Sequence, residues 1–376
     1  MRKLALGVVI ALFTLAISPL AVQAKSASPT KKQASQKALK KTGKKTAKKT
    51  VSKRESAKRT KHALAKASVA KRAKSGKAAV TTASTPKSTV HRITYAPAPY
   101  AAGAVLTVGD MAGLHLTPDP LALKSNAALV IDQTNSEILF EKNSAIALPI
   151  ASLTKLMMAL VVVEARQDLN EVLEVTSDDI DREKNSSSRL RVGSQMTRAD
   201  MLHIALMSSE NRAASALGRH YPGGRAAFVA AMNAKAKLLG MTDTHFVDST
   251  GLSSHNVASA RDLAKLVDAA HRHTIIRKYS TYPRYEVNAG GYHLNYINSN
   301  RLVMSSDWEI GLQKTGYISE AGRCLVMQSM IEGRPVVMVF LDSKGKDSRL
   351  GDASRIRKWL ETSKRAILTQ AAASQS

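Results

Sequence analysis

From Lys25 to Tyr100 the chain carries 22 Lys and Arg against a single acid, Glu55, set among Ala, Ser and Thr with almost no large apolar residue. Such a segment cannot bury enough surface to offset the entropy lost on ordering it, so any folded domain must be built from the residues after Tyr100. The segment's net charge of +21 supplies most of the +27 of the whole chain; residues 1–24 add +2, and residues 101–376, with 32 bases against 28 acids, add +4. The charge therefore belongs to a tail and not to the folded part. The expected division is a basic disordered linker over residues 25–119, one domain over residues 120–362 and a short tail over residues 363–376.

Ahead of the linker, Arg2 and Lys3 precede an apolar stretch from about Leu4 to Ile17, and Val22-Gln23-Ala24 puts small residues where a signal peptidase cuts. The expectation is an export signal over residues 1–24, cleaved so that the mature chain starts near Lys25. The alternative is a retained membrane anchor, but the apolar run falls short of the roughly 20 residues a spanning helix needs. The single Cys324 rules out a disulfide within the chain, and its place in the run Cys324-Leu325-Val326-Met327 reads as a buried small hydrophobe.

Beyond the Pro-rich residues 97–120, Ala127–Asp132 and Ile138–Phe140 flank the polar Gln133-Thr134-Asn135-Ser136 and read as a β-hairpin. Leu153, Leu156, Met157, Leu160 and Val161 recur at helical spacing after Pro149, which predicts a buried helix over about Ser152–Arg166. Further helices are expected at Thr197–Met207, Arg225–Leu239 and Ser259–His271, the first and last opened by pairs resembling capping boxes, Thr197 with Asp200 and Ser259 with Asp262. Ile310–Gly316, Cys324–Ile331 and Val336–Leu341 read as three strands, followed by a closing helix near Asp352–Glu361. That order predicts an α+β domain in which the N-terminal hairpin and the C-terminal strands share one antiparallel sheet, with helices covering its faces.

A serine hydroxyl is a poor nucleophile near neutral pH and needs a base within hydrogen-bond reach. Ser-x-x-Lys supplies one by placing the two side chains one helical turn apart. Here the motif is Ser152-Leu153-Thr154-Lys155. The lysine must be neutral to act as base, which requires burial or a neighbouring cation to lower its pKa. Ser-x-x-Lys also occurs at Ser28, Ser68, Ser84 and Ser343, but only Ser152 opens an apolar helix just after a hairpin. Two further elements come later in order, Ser209-Glu210-Asn211 and Lys314-Thr315-Gly316, 57 and 105 residues apart in turn. This triple is a known signature of penicillin-binding proteins and class A β-lactamases.

On these motifs, together with Ser208-Ser209-Glu210-Asn211-Arg212-Ala213-Ala214, Gln313-Lys314-Thr315-Gly316-Tyr317 and Ala321-Gly322-Arg323-Cys324-Leu325-Val326-Met327, residues 120–362 resemble the low-molecular-mass penicillin-binding proteins. Within them they look most like the D-alanyl-D-alanine endopeptidase group known as penicillin-binding protein 7. The resemblance implies a β-lactamase/transpeptidase-like fold, a periplasmic location, peptidoglycan stem peptides as substrate, β-lactams as covalent inhibitors and no cofactor or metal. It implies that Ser152 is acylated by the penultimate D-Ala carbonyl, that Lys155 takes its proton, that Ser209 relays a proton to the leaving amine and that Asn211 holds the substrate's peptide amide. Lys314 and Thr315 would meet the substrate's terminal groups, with the N–H groups of Ser152 and Tyr317 as oxyanion hole. Arg349 falls about where related carboxypeptidases hold a substrate carboxylate; an ordinary surface arginine is the alternative. Glu210 departs from the Gly or Asp often found between the Ser and Asn of this motif.

Other readings carry less. His255, in the loop Gly251-Leu252-Ser253-Ser254-His255-Asn256, belongs to none of the three motifs, and His271 and His273 have no further ligand at metal spacing. A β-lactamase needs a glutamate and an asparagine between the second and third motifs to position the deacylating water, whereas Glu164 and Asn170 precede the second, so slow release of penicillin is expected. The basic tail would suit nucleic acid through counterion release, but Lys25 to Thr94 contains no Phe, Tyr or Trp to stack bases and the export signal removes the chain from nucleic acid. A tether to anionic envelope polymers fits the tail better, an inert spacer equally. The short stretch after Thr362 leaves no room for the additional β-rich domain and membrane helix of many carboxypeptidases, which favours an endopeptidase; a carboxypeptidase or an inactive murein-binding scaffold are the alternatives.

Overall fold

The computed structural model describes residues 106–373. The expected export signal and most of the expected linker lie outside the described residues.

The fold begins before residue 120. Thr107 caps a short helix α1 (Val108–Met111): its hydroxyl accepts the Asp110 N–H at 3.2 Å and the Asp110 carboxylate accepts the Thr107 N–H at 3.4 Å. The Thr107 hydroxyl donates to Asp342 at 2.7 Å and the Val108 N–H to the Glu320 carbonyl at 3.0 Å. These anchors are polar and come from the far end of the chain, so the ordered part starts ahead of the expected linker boundary at residue 119 without leaving an apolar period there.

Strands β1 (Ser125–Asp132) and β2 (Ile138–Lys142) form the expected hairpin, and β3 (Leu148–Pro149) leads into helix α2 (Thr154–Glu164). Strands β4 (Val172–Glu174) and β5 (Gln195–Thr197) pair with each other ahead of helices α3 (Arg198–Met207), α4 (Asn211–Arg219) and α5 (Gly224–Leu238). Strand β6 (Val257–Ala258) pairs with β3, and α6 (Ala260–His271) and α7 (Thr274–Thr281) come next. A second hairpin, β7 (Arg284–Asn288) and β8 (His293–Ile297), precedes β9 (Glu309–Ile318), β10 (Gly322–Ile331), β11 (Arg334–Ser343) and α8 (Ser348–Ala373). Helix α8 runs on through the residues expected as a tail from 363.

The main sheet has the order β2-β1-β11-β10-β9 with every neighbour antiparallel, so both ends of the domain share one layer as expected. Successive residues face opposite sides. Leu129, Val326, Val337 and Val339 join the helical cluster around α2 and α6, while Val130, Met327, Met338 and Phe340 pack on Leu350, Ala353 and Ile356 of α8. Because both faces are covered, the strands read as nearly continuous apolar runs.

Every residue of α2 from Thr154 to Val162 is buried, as befits a helix that is apolar almost all round. The expected caps form by half: Thr197 and Ser259 accept the N–H groups of Asp200 and Asp262, but the Asp200 carboxylate accepts the Thr197 hydroxyl, and Asp262 the Asp243 N–H, instead of reaching back to the cap.

Candidate active site

Ser152 stands half-buried in a single 3-10 turn, Ala151–Leu153, just before α2 and not within it. The turn is set by its flanks. Pairing of β3 with β6 and the Ile150 N–H to Asn256 carbonyl bond, 3.0 Å, fix the chain before it. Ala151 takes φ +48°, a conformation unusual for a residue with a Cβ, and Thr154 locks the turn by donating its hydroxyl to the Ala151 carbonyl at 2.8 Å.

Two glycines make room for this turn. A Cβ on Gly251, at φ +80°, would lie 2.0 Å from the Ala151 carbonyl oxygen, and one on Gly316 would lie 2.9 Å from the Ile150 oxygen and 3.1 Å from the Ser152 nitrogen. The glycine of Lys314-Thr315-Gly316 therefore lets β9 run against the backbone of the Ser152 turn.

Lys155 is fully buried and its Nζ donates to Ser152 Oγ at 2.9 Å, Asn211 Oδ1 at 2.8 Å and the Thr250 carbonyl at 2.6 Å. Burial holds this amine down to about 8, against the opposing pull of the Asp248, Glu210 and Asp181 carboxylates. A neutral amine keeps two N–H bonds and one lone pair. With Asn211 and Thr250 taking the two N–H groups, the lone pair is left for the Ser152 proton.

Asn211 opens α4, and its Nδ2 donates to Ser186 Oγ at 2.9 Å. Glu210 caps that helix by accepting the Arg212 N–H, and it also accepts the Ser188 hydroxyl at 2.6 Å and the Tyr296 hydroxyl at 3.3 Å. The unusual residue in the second motif thus binds the β4–β5 loop and β8 to the Asn211 turn. Ser209 lies in that turn at φ +66°, and its hydroxyl has no hydrogen bond to Ser152 or Lys155.

Lys314 is fully buried on β9 and donates to the Thr315 carbonyl at 2.8 Å; burial first, then the Lys155 and Arg349 cations, push its amine well below the ordinary lysine value. Thr315 donates its hydroxyl to Ser299 at 2.7 Å, and Tyr317 is exposed beneath the Arg323 guanidinium, 4.5 Å from the ring centre. Arg349 is not a surface arginine: it is 8% exposed, and its Nε and Nη1 have no hydrogen-bond partner.

Sequence reasoning missed the groups that hold Lys155 in place. Asp248 accepts the N–H groups of Thr250, Gly251 and Ser253 and the Asn256 amide, which aims the Thr250 carbonyl at Lys155. The signal was an Asp followed by Gly251 three residues on, the pattern of a side-chain-closed turn. His255 in the same loop is exposed, Glu164 pairs with Lys235 and His273, and Cys324 is fully buried with its thiol pushed up to about 12.

A buried lysine held on a serine at the mouth of a helix, flanked by an asparagine and by a strand lysine, is the arrangement of a serine hydrolase. The family profile described as D-alanyl-D-alanine carboxypeptidase, peptidase S11, matches residues 115–345. The chain belongs to this family of serine peptidases. It is 46% identical over 263 residues to the D-alanyl-D-alanine endopeptidase of Pseudomonas aeruginosa, covering 69% of this chain and 84% of that protein. It is 45% identical over 244 residues to the D-alanyl-D-alanine endopeptidase of Escherichia coli, covering 64% and 79%. The fold superposes on the crystal structure of the Streptomyces K15 DD-transpeptidase with a TM-score of 0.59 at 26% identity, over 65% of this chain and 98% of that one. The fold expected from the motifs is thus the fold observed.

Proposed function

We propose that the chain is a murein endopeptidase that hydrolyses D-alanyl cross-links between stem peptides through an acyl-enzyme on Ser152. The observation that carries the chemistry is the Lys155 amine, buried, held down to about 8 and bonded at once to Ser152 Oγ and Asn211 Oδ1. In this reading Lys155 takes the Ser152 proton as Oγ attacks the D-Ala carbonyl, the developing oxyanion is met by the N–H groups of Ser152 and Tyr317, and Ser209 returns a proton to the departing amine. Asn211 holds the substrate amide, Lys314 and Thr315 orient its terminal groups, and the unpartnered guanidinium donors of Arg349, within electrostatic reach of Lys314, supply a carboxylate contact. Cleavage of the cross-link, in preference to trimming of a terminal D-Ala, is supported by identities of 46% and 45% to proteins named endopeptidases, against 31% to the D-alanyl-D-alanine carboxypeptidase DacF of Bacillus subtilis.

Digestion of purified muropeptides tests this. Cross-linked dimers should fall to monomers with wild type and not with Ser152→Ala; release of a single D-Ala from pentapeptide, with dimers untouched, would make the chain a carboxypeptidase, and turnover of neither would make it a scaffold.

The proposed setting is the periplasm, reached by cleavage after Ala24, with residues 25–95 as a tether to anionic envelope polymers. Among the described residues no helix is long and apolar enough to cross a membrane. Deleting residues 25–95 should weaken co-sedimentation with murein sacculi at low salt and leave the high-salt value unchanged; unaltered binding at low salt would refute the tether.

A further inference from the structure

The loop between β4 and β5 touches both sides of the cleft that holds Ser152, the Asn211 turn on one side and the β9–β10 turn on the other. Asp181 fixes its turn, accepting the N–H groups of Glu183 and Lys184 at 2.9 Å each and that of Ser186 at 2.7 Å. From this turn Ser186 takes the Asn211 donation, while Lys184 reaches the other way and pairs with Glu320 at 2.6 Å. Glu320 lies in the turn between β9 and β10, just beyond Tyr317 on the strand whose Gly316 lies against Ser152. A ring of contacts therefore closes around the nucleophile. It runs from Ser152 through Lys155 and Asn211 to Ser186, along the loop to Lys184, across to Glu320, and back down β9 to Gly316.

We propose that Lys184 and Glu320 form a latch over one end of the cleft and thereby set the selectivity between cross-linked and linear stem peptides. The proposal rests on the reading of the chain as a murein peptidase. A linear pentapeptide ends one residue past the scissile bond and needs a single open end. A cross-linked dimer continues on both sides of that bond and must pass between Lys184 and Glu320, so the latch opens for it.

Two observations fit an opening latch. The pair is partly solvated, with Lys184 26% and Glu320 37% exposed, and a pair of that kind shifts an equilibrium by only about 1.4- to 5-fold. The turn that carries Glu320 is anchored from its other side by the Val108 N–H, and the loop that carries Lys184 is held by Ser186 on Asn211 and Ser188 on Glu210, so the part that swings open is the Lys184 side chain.

Charge reversal tests the latch. In the purified chain, kcat/KM for a cross-linked muropeptide dimer and for a linear pentapeptide, and the rate of acylation by a fluorescent penicillin, are compared in wild type, Lys184→Glu, Glu320→Lys and the double reversal Lys184→Glu with Glu320→Lys. Each single reversal should raise the dimer-to-pentapeptide ratio of kcat/KM by about two- to fivefold. The double reversal should return the ratio to the wild-type value, with penicillin acylation unchanged throughout. A ratio that stays constant, a double reversal that fails to restore it, or a joint fall of all three rates would overturn the latch. The wild-type rate on the dimer, read in the same assay, separates failure of the latch from failure of the underlying reading.

Discussion

Lys155→Ala is expected to slow acylation of Ser152 by about 10²- to 10⁴-fold, the contribution a positioned base makes to proton transfer, while the chain still folds. The substitution leaves Asn211 Oδ1 and the Thr250 carbonyl without their Lys155 donor beside the half-buried Ser152. The pH dependence has a definite sign. Only the neutral amine can accept the Ser152 proton, and burial holds Lys155 at about 8, so acylation should rise about tenfold per pH unit below that value and level off above it. Stopped-flow acylation with a reporter penicillin across this range should give that ascending limb in wild type and a profile without it in Lys155→Ala. The same limb in both proteins would assign the proton transfer to another group.

Gly251→Ala should cost about a hundredfold in the same rate. The new Cβ would fall 2.0 Å from the Ala151 oxygen, 2.4 Å from the Ala151 carbonyl carbon and 2.9 Å from the Ser152 nitrogen, so either the Ser152 turn or the Thr250 carbonyl must move. A displacement of about 1 Å at a reacting group is enough for a loss of that size. Gly240→Ala is the control. Gly240 has φ +68° with nothing within 4 Å of its missing Cβ, so alanine there should lower stability by about 1–2 kcal/mol and leave acylation unchanged. Equal acylation rates in the two variants would show that Gly251 does not position the nucleophile.

The layered sheet was legible because Ala127–Asp132, Cys324–Ile331 and Val336–Leu341 are apolar on both faces and bounded by turn residues. Ser152 and Lys155 were legible because the spacing of one helical turn and the apolar helix behind them state the chemistry locally. Helix α4 was not: its buried face, Ala213, Ala214, Ala216, Leu217 and Gly218, recurs at helical spacing, but it is built of small residues with a single large apolar side chain and contains a glycine, whose Cβ would lie 2.9 Å from Ser249 Oγ. The hairpin of β7 and β8 alternates, with Val287 and Tyr296 inward across Gly290-Gly291, but each strand has a single buried position, a weak signal. Thr107 and the Thr250 carbonyl were beyond reach for a different reason: their roles are hydrogen bonds to residues 235 and 95 positions away, and polar contacts across such separations leave no period in a sequence, whereas Asp248 closes a local turn whose pattern the sequence does carry.

The nucleophile itself is tested most directly by treating the purified chain with benzylpenicillin, weighing the intact protein and mapping the adduct by peptide mass spectrometry. The expected result is one penicilloyl group per chain, carried on the peptide containing Ser152, slow to hydrolyse and absent from Ser152→Ala. An adduct on another residue, or one that forms equally in Ser152→Ala, would contradict the assignment of Ser152 as the acylated residue.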